Sequence, residues 1–102
     1  MQIILLDEVK IFLESILNER EIAKTIHVIE LLEEFGKTLG LPHSRYMNDG
    51  ILELRIRGKR EIRLLYCFYK NKAILLHAFI KKTQNTPTKI LDKARRIKNG
   101  LQ

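Results

Sequence analysis

Between Arg55 and Lys82, cationic side chains recur at alternate positions among aliphatic and aromatic ones. Arg55 and Arg57 precede a turn, Arg63 follows it, and His77, Phe79 and Lys81 alternate along the next apolar run, with Lys82 at its exit. Successive side chains of an extended chain point to opposite faces, so this spacing gathers Arg55, Arg63, His77, Phe79 and Lys81 on one side of a sheet. Arginine holds a phosphate through paired hydrogen bonds. Phe79 or Tyr69 can stack on an unpaired base, and Lys81 with Lys82 adds charge at the strand exit. The mixture suits binding of single-stranded RNA, and it suits cutting it as well. When a 2′-hydroxyl attacks the neighbouring phosphorus, negative charge accumulates on the pentavalent transition state. Cations fixed around that phosphate stabilise it more than the ground state, one such donor commonly being worth about a hundredfold to a thousandfold in rate.

Proton transfer is less determined. Arginine does not titrate usefully, which leaves His77, a tyrosine, or a lysine whose pKa is lowered by neighbouring cations and burial. His27, His43 and His77 share no ligand spacing, and no clustered carboxylate pair lies near the basic strands, so neither a metal nor a cofactor is expected. There is no phosphate loop, dinucleotide fingerprint or nucleophile elbow. The single cysteine, Cys67, excludes an intrachain disulfide and sits in an apolar strand, where it reads as a small core residue.

The charge is lopsided. Residues 1–54 hold 5 Lys/Arg and 10 Asp/Glu, net −5, whereas residues 55–102 hold 14 Lys/Arg and 2 Asp/Glu, net +12. A field of that kind favours a polyanion or an acidic protein partner. With 102 residues, 45% of them hydrophobic and 30% charged, the chain reads as one folded domain spanning residues 1–102. The first residues lack a basic leader, and no run approaches the roughly 18 apolar residues of a membrane helix, so a cytoplasmic protein is expected.

The elements that must position the cationic set follow from periodicity. Gln2 to Leu6 reads as a short strand ending at a helix cap on Asp7. Val9, Phe12, Leu13, Ile16 and Leu17 form one helical stripe, and a second helix runs from about Glu21 to Phe35 with Gly36 as its stop. Residues 37–50 lose periodicity and read as a loop. Three strands then form an antiparallel meander: Ile51 to Arg57, Glu61 to Lys70 and Ala73 to Lys81, joined at Gly58-Lys59 and Asn71-Lys72. Regular alternation puts Leu52, Leu54, Ile56, Ile62, Leu64, Tyr66, Phe68, Ile74, Leu76, Ala78 and Ile80 on the core side. A one-residue bulge would rotate part of the set. Thr86-Pro87 caps a last helix whose stripe is Ile90, Ala94, Ile97 and Leu101. The expected class is α+β: a small, mainly antiparallel sheet with two N-terminal helices packed on one face and a C-terminal helix.

The segments Gly50-Ile51-Leu52-Glu53-Leu54-Arg55, Arg63-Leu64-Leu65-Tyr66 and, above all, Leu75 to Pro87 followed by a helix containing Ala94 resemble the HigB branch of the RelE-type toxins of bacterial toxin-antitoxin modules. Looser similarity extends through Leu31 to Gly36 and the Leu41-Pro42 loop. The resemblance implies the RelE-like fold and a ribosome-dependent mRNA endonuclease that is silenced by a cognate HigA-like helix-turn-helix antitoxin. By matching position, Arg55 and Arg63 would orient and neutralise the scissile phosphate, while Lys81 and Lys82 would stabilise developing charge. RNA contacts are then expected from Arg57, Arg60, His77 and Phe79, Arg60 lying in a turn. Asn85 stands where members often carry a further lysine, and the C-terminus lacks the His or Tyr that several relatives use. Two other functions fit the charge asymmetry alone: a non-catalytic nucleic-acid-binding module and a subunit whose basic face docks an acidic protein.

Overall fold

In the computed structural model, which describes residues 1–101, the chain runs β1 (Gln2–Leu5), α1 (Asp7–Ser15), α2 (Glu19–Phe35), a 3₁₀ turn (Gly36–Thr38), β2 (Ser44–Asn48), β3 (Ile51–Ile56), β4 (Glu61–Tyr69), β5 (Lys72–Lys81) and α3 (Thr88–Asn99). The strands form one sheet in the order β1-β5-β4-β3-β2. All neighbours are antiparallel except β1, which pairs parallel with β5. The α+β class is as expected. No helix among the described residues is long and apolar enough to cross a membrane.

Each face of the sheet carries its own core. On one, Leu54, Ile56, Ile62, Leu64, Tyr66, Leu75 and Ala78 pack against Val9 of α1, Leu17, and Val28 and Leu32 of α2. On the other, Ile51, Leu65, Cys67, Ile74, Leu76 and Phe79 meet Ala94 and its neighbours on α3. Helix α3 covers that face from Phe79 to the β2–β3 turn, where Lys98 donates to the Asp49 carbonyl, and the Arg55, Arg63 and Lys81 end carries polar side chains. Cys67 is buried and free, and burial pushes its thiol pKa up.

Several local readings shift. Helix α2 starts two residues earlier than the apolar pattern suggests because Asn18 and Glu21 form a capping box: the Asn18 side chain accepts from Glu21 N at 2.8 Å and the Glu21 carboxylate accepts from Asn18 N at 3.0 Å. Ile16 follows the end of α1 and lies exposed instead of completing its stripe. The supposed loop over residues 37–50 contains β2, joined to β3 by Asp49-Gly50, both with positive φ as a two-residue type I′ hairpin requires. The β4–β5 hairpin turns at Lys70-Asn71, again with positive φ at both residues, one position before the expected Asn71-Lys72. Thr86 does not cap α3. Pro87 holds the cap position without a side-chain bond, and the Thr86 hydroxyl donates instead to Glu53 Oε2 at 3.0 Å.

The largest departure lies in β5. Leu65 pairs with His77 and Tyr66 with Leu75, which leaves Leu76 as an extra residue in a bulge. Ile74 and Leu76 therefore join the α3 face and Leu75 the α1/α2 face, the reverse of regular alternation. Beyond the bulge the parity is as read: Ala78 and Ile80 face α1 and α2, while His77, Phe79 and Lys81 share the α3 face with Arg55 and Arg63.

Candidate nucleic-acid interface

The α3 face is ordered in rows across the strands. Glu53 stands opposite Leu65, which stands opposite His77. Arg55 stands opposite Arg63, and Arg63 opposite Phe79. Glu61 stands opposite Lys81. Like charges directly opposite one another repel. The side chain that answers this repulsion is Glu53, which is only 1% exposed; its Oε1 lies 3.5 Å from Arg63 Nε and 3.7 Å from Arg55 Nε. Arg63, 2% exposed, is fixed further by donating to the Ile62 carbonyl at 3.1 Å and to Glu61 Oε1 at 3.0 Å. The Nε atoms of both arginines are buried and lack a well-aligned acceptor. Burial, together with the nearby Arg57, Arg63 and Arg45 charges, drives the Arg55 pKa down against the pull of Glu53. Two carboxylates, Glu53 and Glu61, thus stand against Arg55, Arg63 and the loosely held Arg57.

Lys81 and Lys82 reach the same place from the exit of β5. With Glu61, Arg63, Thr83 and Gln84 they line an open groove of about 490 Å³. Neither lysine forms an ion pair among the described residues. Thr86, bonded to Glu53, ties the segment that carries both lysines back to the centre of the sheet face. Glu61 is the carboxylate of this groove. Burial raises its pKa, but the bonds from Arg63 and from Gly58 N, with the Arg63 and Arg57 charges, outweigh burial and set it below the ordinary value.

Three expected RNA contacts are committed elsewhere. His77 Nδ1 lies 2.8 Å from Glu8 Oε1, and Lys93 Nζ reaches the same oxygen at 2.8 Å, so His77 ties β5 to α1 and α3. Phe79 is 7% exposed within the α3-side core and stacks on His77, with ring centroids 6.2 Å apart, so its ring face is closed to a base. Arg60 grips Glu21 through Nε and Nη2 at 2.9 and 2.6 Å and caps the Ile16 carbonyl, which anchors the β3–β4 turn to α2. Arg57 stays largely exposed, with a loose 3.8 Å contact to Glu61.

Glu53, Glu61 and Thr86 were not read as members of the site. Glu53 carried a usable signal, since it shares the alternation of Arg55 within β3 and is the sole acid of that strand. The acidic N-terminal half thus supplies counter-charges to the basic half: Glu8 to Lys93, Glu21 to Arg60, Asp49 to Arg95 and Glu53 to the arginine pair. Part of the sequence's charge asymmetry is answered by ion pairs within the fold, and Lys81 and Lys82 are among the cations that those pairs leave out.

No curated protein matches the chain in a sequence comparison. Residues 15–99, from the end of α1 through the last residue of α3, match the family model described as phage-derived protein Gp49-like (DUF891), and the chain belongs to that family.

Proposed function

We propose that the protein is the toxin of a type II toxin-antitoxin module: a metal-independent endoribonuclease that cuts mRNA on the ribosome and is held silent by a helix-turn-helix antitoxin. Membership of a phage-derived family is in keeping with a mobile module of this kind. The observation that carries the reading is the opposed pair Arg55 and Arg63, held by Glu53 and, at Arg63, by Glu61 as well, and opening beside the unpaired Lys81 and Lys82. Arg55, Arg57 and Arg63 share two carboxylates, with Lys81 and Lys82 beside them, so a phosphate in the groove meets unmatched positive charge.

In this scheme the scissile phosphate sits against Lys81, Lys82 and the Arg63 end of the groove. The neighbouring 2′-hydroxyl attacks phosphorus in line, its oxygen forming the new P–O bond while the P–O5′ bond breaks, leaving a 2′,3′-cyclic phosphate and a 5′-oxygen that takes a proton from water to become a free hydroxyl. The lysines stabilise the equatorial oxygens as charge builds. Glu61 takes the 2′-hydroxyl proton, being a groove-lining carboxylate kept ionised by its arginine. His77 is left to its structural bond with Glu8. Inducing the chain in a bacterium and mapping mRNA 5′ ends tests the reading. Growth arrest with new ends in translated messages is expected from the parent, and loss of both from the Lys81→Ala/Lys82→Ala double variant. Equal arrest by that variant would overturn the site.

A further inference from the structure

A second groove opens around the free edge of β3. Strand β2 covers β3 only as far as the bond from Arg55 N to the His43 carbonyl, at 2.8 Å, so the edge beyond Arg55 has no strand partner. There the chain forms a groove of about 220 Å³ between that edge, α2 and the connection leading into β2. Its floor is apolar, made by Val28, Pro42 and Ile56. Lys24, Arg55 and Arg57 supply its charge, and His27 and His43 add two imidazoles.

Two properties mark it as a site for an anion bearing a flat apolar group. No carboxylate lines it. Among the described residues Lys24, His27 and His43 form no ion pair, and Arg55 and Arg57 have only contacts of 3.7 and 3.8 Å with Glu53 and Glu61. Lys24 is further held in place by donating to the Arg57 carbonyl at 3.3 Å. An apolar floor with imidazoles beside it offers stacking to an unpaired base, which is sequence-tolerant because every base presents a π face. An acidic peptide would use the cations but leave the floor without a partner.

We propose that this groove is a nucleotide subsite for single-stranded RNA, its floor and imidazoles receiving one unstacked base while Arg55 and Arg57 take the adjoining phosphate. The proposal rests on the RNA reading above and extends it, because Arg55 belongs to both places. Arg55 lines this groove, and its Nε lies 3.7 Å from Glu53 Oε1 in the cluster on the α3 face. A strand whose scissile phosphate lies beside Arg63 therefore continues over the edge of β3, with its next base leaving the stack.

Imidazole NMR signals provide the test. The chain has three histidines, and His77, held by Glu8, serves as an internal reference for the other two. The full chain is titrated with a 2′-O-methyl tetranucleotide, in which the attacking hydroxyl is blocked. Saturable shifts of the His27 and His43 rings, with His77 still, are expected. Inorganic phosphate at the same concentration should not reproduce them, and the His27→Ala/His43→Ala double variant should bind the tetranucleotide roughly tenfold more weakly. Still His27 and His43 signals, equal shifts with phosphate, or equal shifts with a polyglutamate peptide would each overturn the subsite. The test is separable from cleavage: movement of both rings in a protein that cuts no RNA sustains the subsite and defeats the nuclease, and cleavage with both rings unmoved does the reverse.

Discussion

Glu53 Oε1 lies 3.5 Å from Arg63 Nε, and neither residue is more than 2% exposed, so a fully internal ion pair sits at the centre of the sheet face. Removing one partner of such a pair leaves a buried charge uncompensated, which commonly costs about 3–5 kcal/mol, whereas replacing both by apolar residues is often neutral. Glu53→Gln should lower the urea midpoint accordingly, and Glu53→Leu with Arg63→Met should recover most of the loss while abolishing activity. A double variant no more stable than the single one would mean that the pair is not the stabilising unit.

Lys82 provides the contrast. It is exposed and unpaired, so Lys82→Ala should change stability by no more than about 0.5 kcal/mol. If it stabilises the reacting phosphate, the same substitution lowers single-turnover mRNA cleavage by about a hundredfold or more. Circular dichroism melts and cleavage rates measured on one preparation separate the two effects, and cleavage unchanged within a factor of three would remove Lys82 from the site.

Glu61 fixes the expected pH profile. Because its pKa lies below the ordinary carboxylate value, its basic form persists down into acid. Cleavage should therefore hold level from pH 8 to about pH 5.5, and Glu61→Gln should cost about a hundredfold to ten-thousandfold with ribosome binding retained. A rate that falls with an apparent pKa near 6.5, the ordinary histidine value, would transfer the proton step to an imidazole.

Glu21 titrates at about 2, first because Arg60 hydrogen-bonds its carboxylate and then because Asn18 N does. A lowered carboxylate pKa stabilises the fold above the unfolded value of about 4.5, and that contribution is lost as pH falls through about 2. Arg60→Ala should return most of the shift, read by carboxyl carbon NMR. A pKa still near 2 in that variant would make the helix cap the main cause.

The Lys70-Asn71 turn holds two non-glycine residues at φ 48° and 63°. Left-handed backbone costs an L-residue about 1–2 kcal/mol, and Asn-Gly is the preferred type I′ pair. Lys70→Asn with Asn71→Gly should raise the melting temperature while leaving cleavage unchanged, since the turn lies at the α3 end of the sheet, away from Lys81 and Lys82.

What was legible in the sequence were the features that depend on local periodicity. The alternation of Leu52, Leu54 and Ile56 and of Ile62, Leu64 and Tyr66 assigned the faces of β3 and β4, and with them Arg55 and Arg63. Signals were also present that the apolar pattern overrode: Asn18-x-x-Glu21 marks a capping box, and Asp49-Gly50 marks a hairpin and hence β2. The partners of each polar side chain were not legible. His77 finds Glu8 across 69 positions, Arg60 finds Glu21 across 39 and Thr86 finds Glu53 across 33, and no short-range pattern encodes such pairings. Phe79 was misjudged for the same reason, because its burial depends on α3 packing over the sheet.

The extra residue at Leu76 also bears on how such a chain can evolve. Its loss would make Leu75 and His77 direct neighbours and restore plain alternation, with every residue from His77 to Lys81 on its present face, whereas losing a residue between His77 and Lys81 would turn the positions beyond it over. The bulge is thus a place where β5 can shorten by one residue without carrying Lys81 off the groove face.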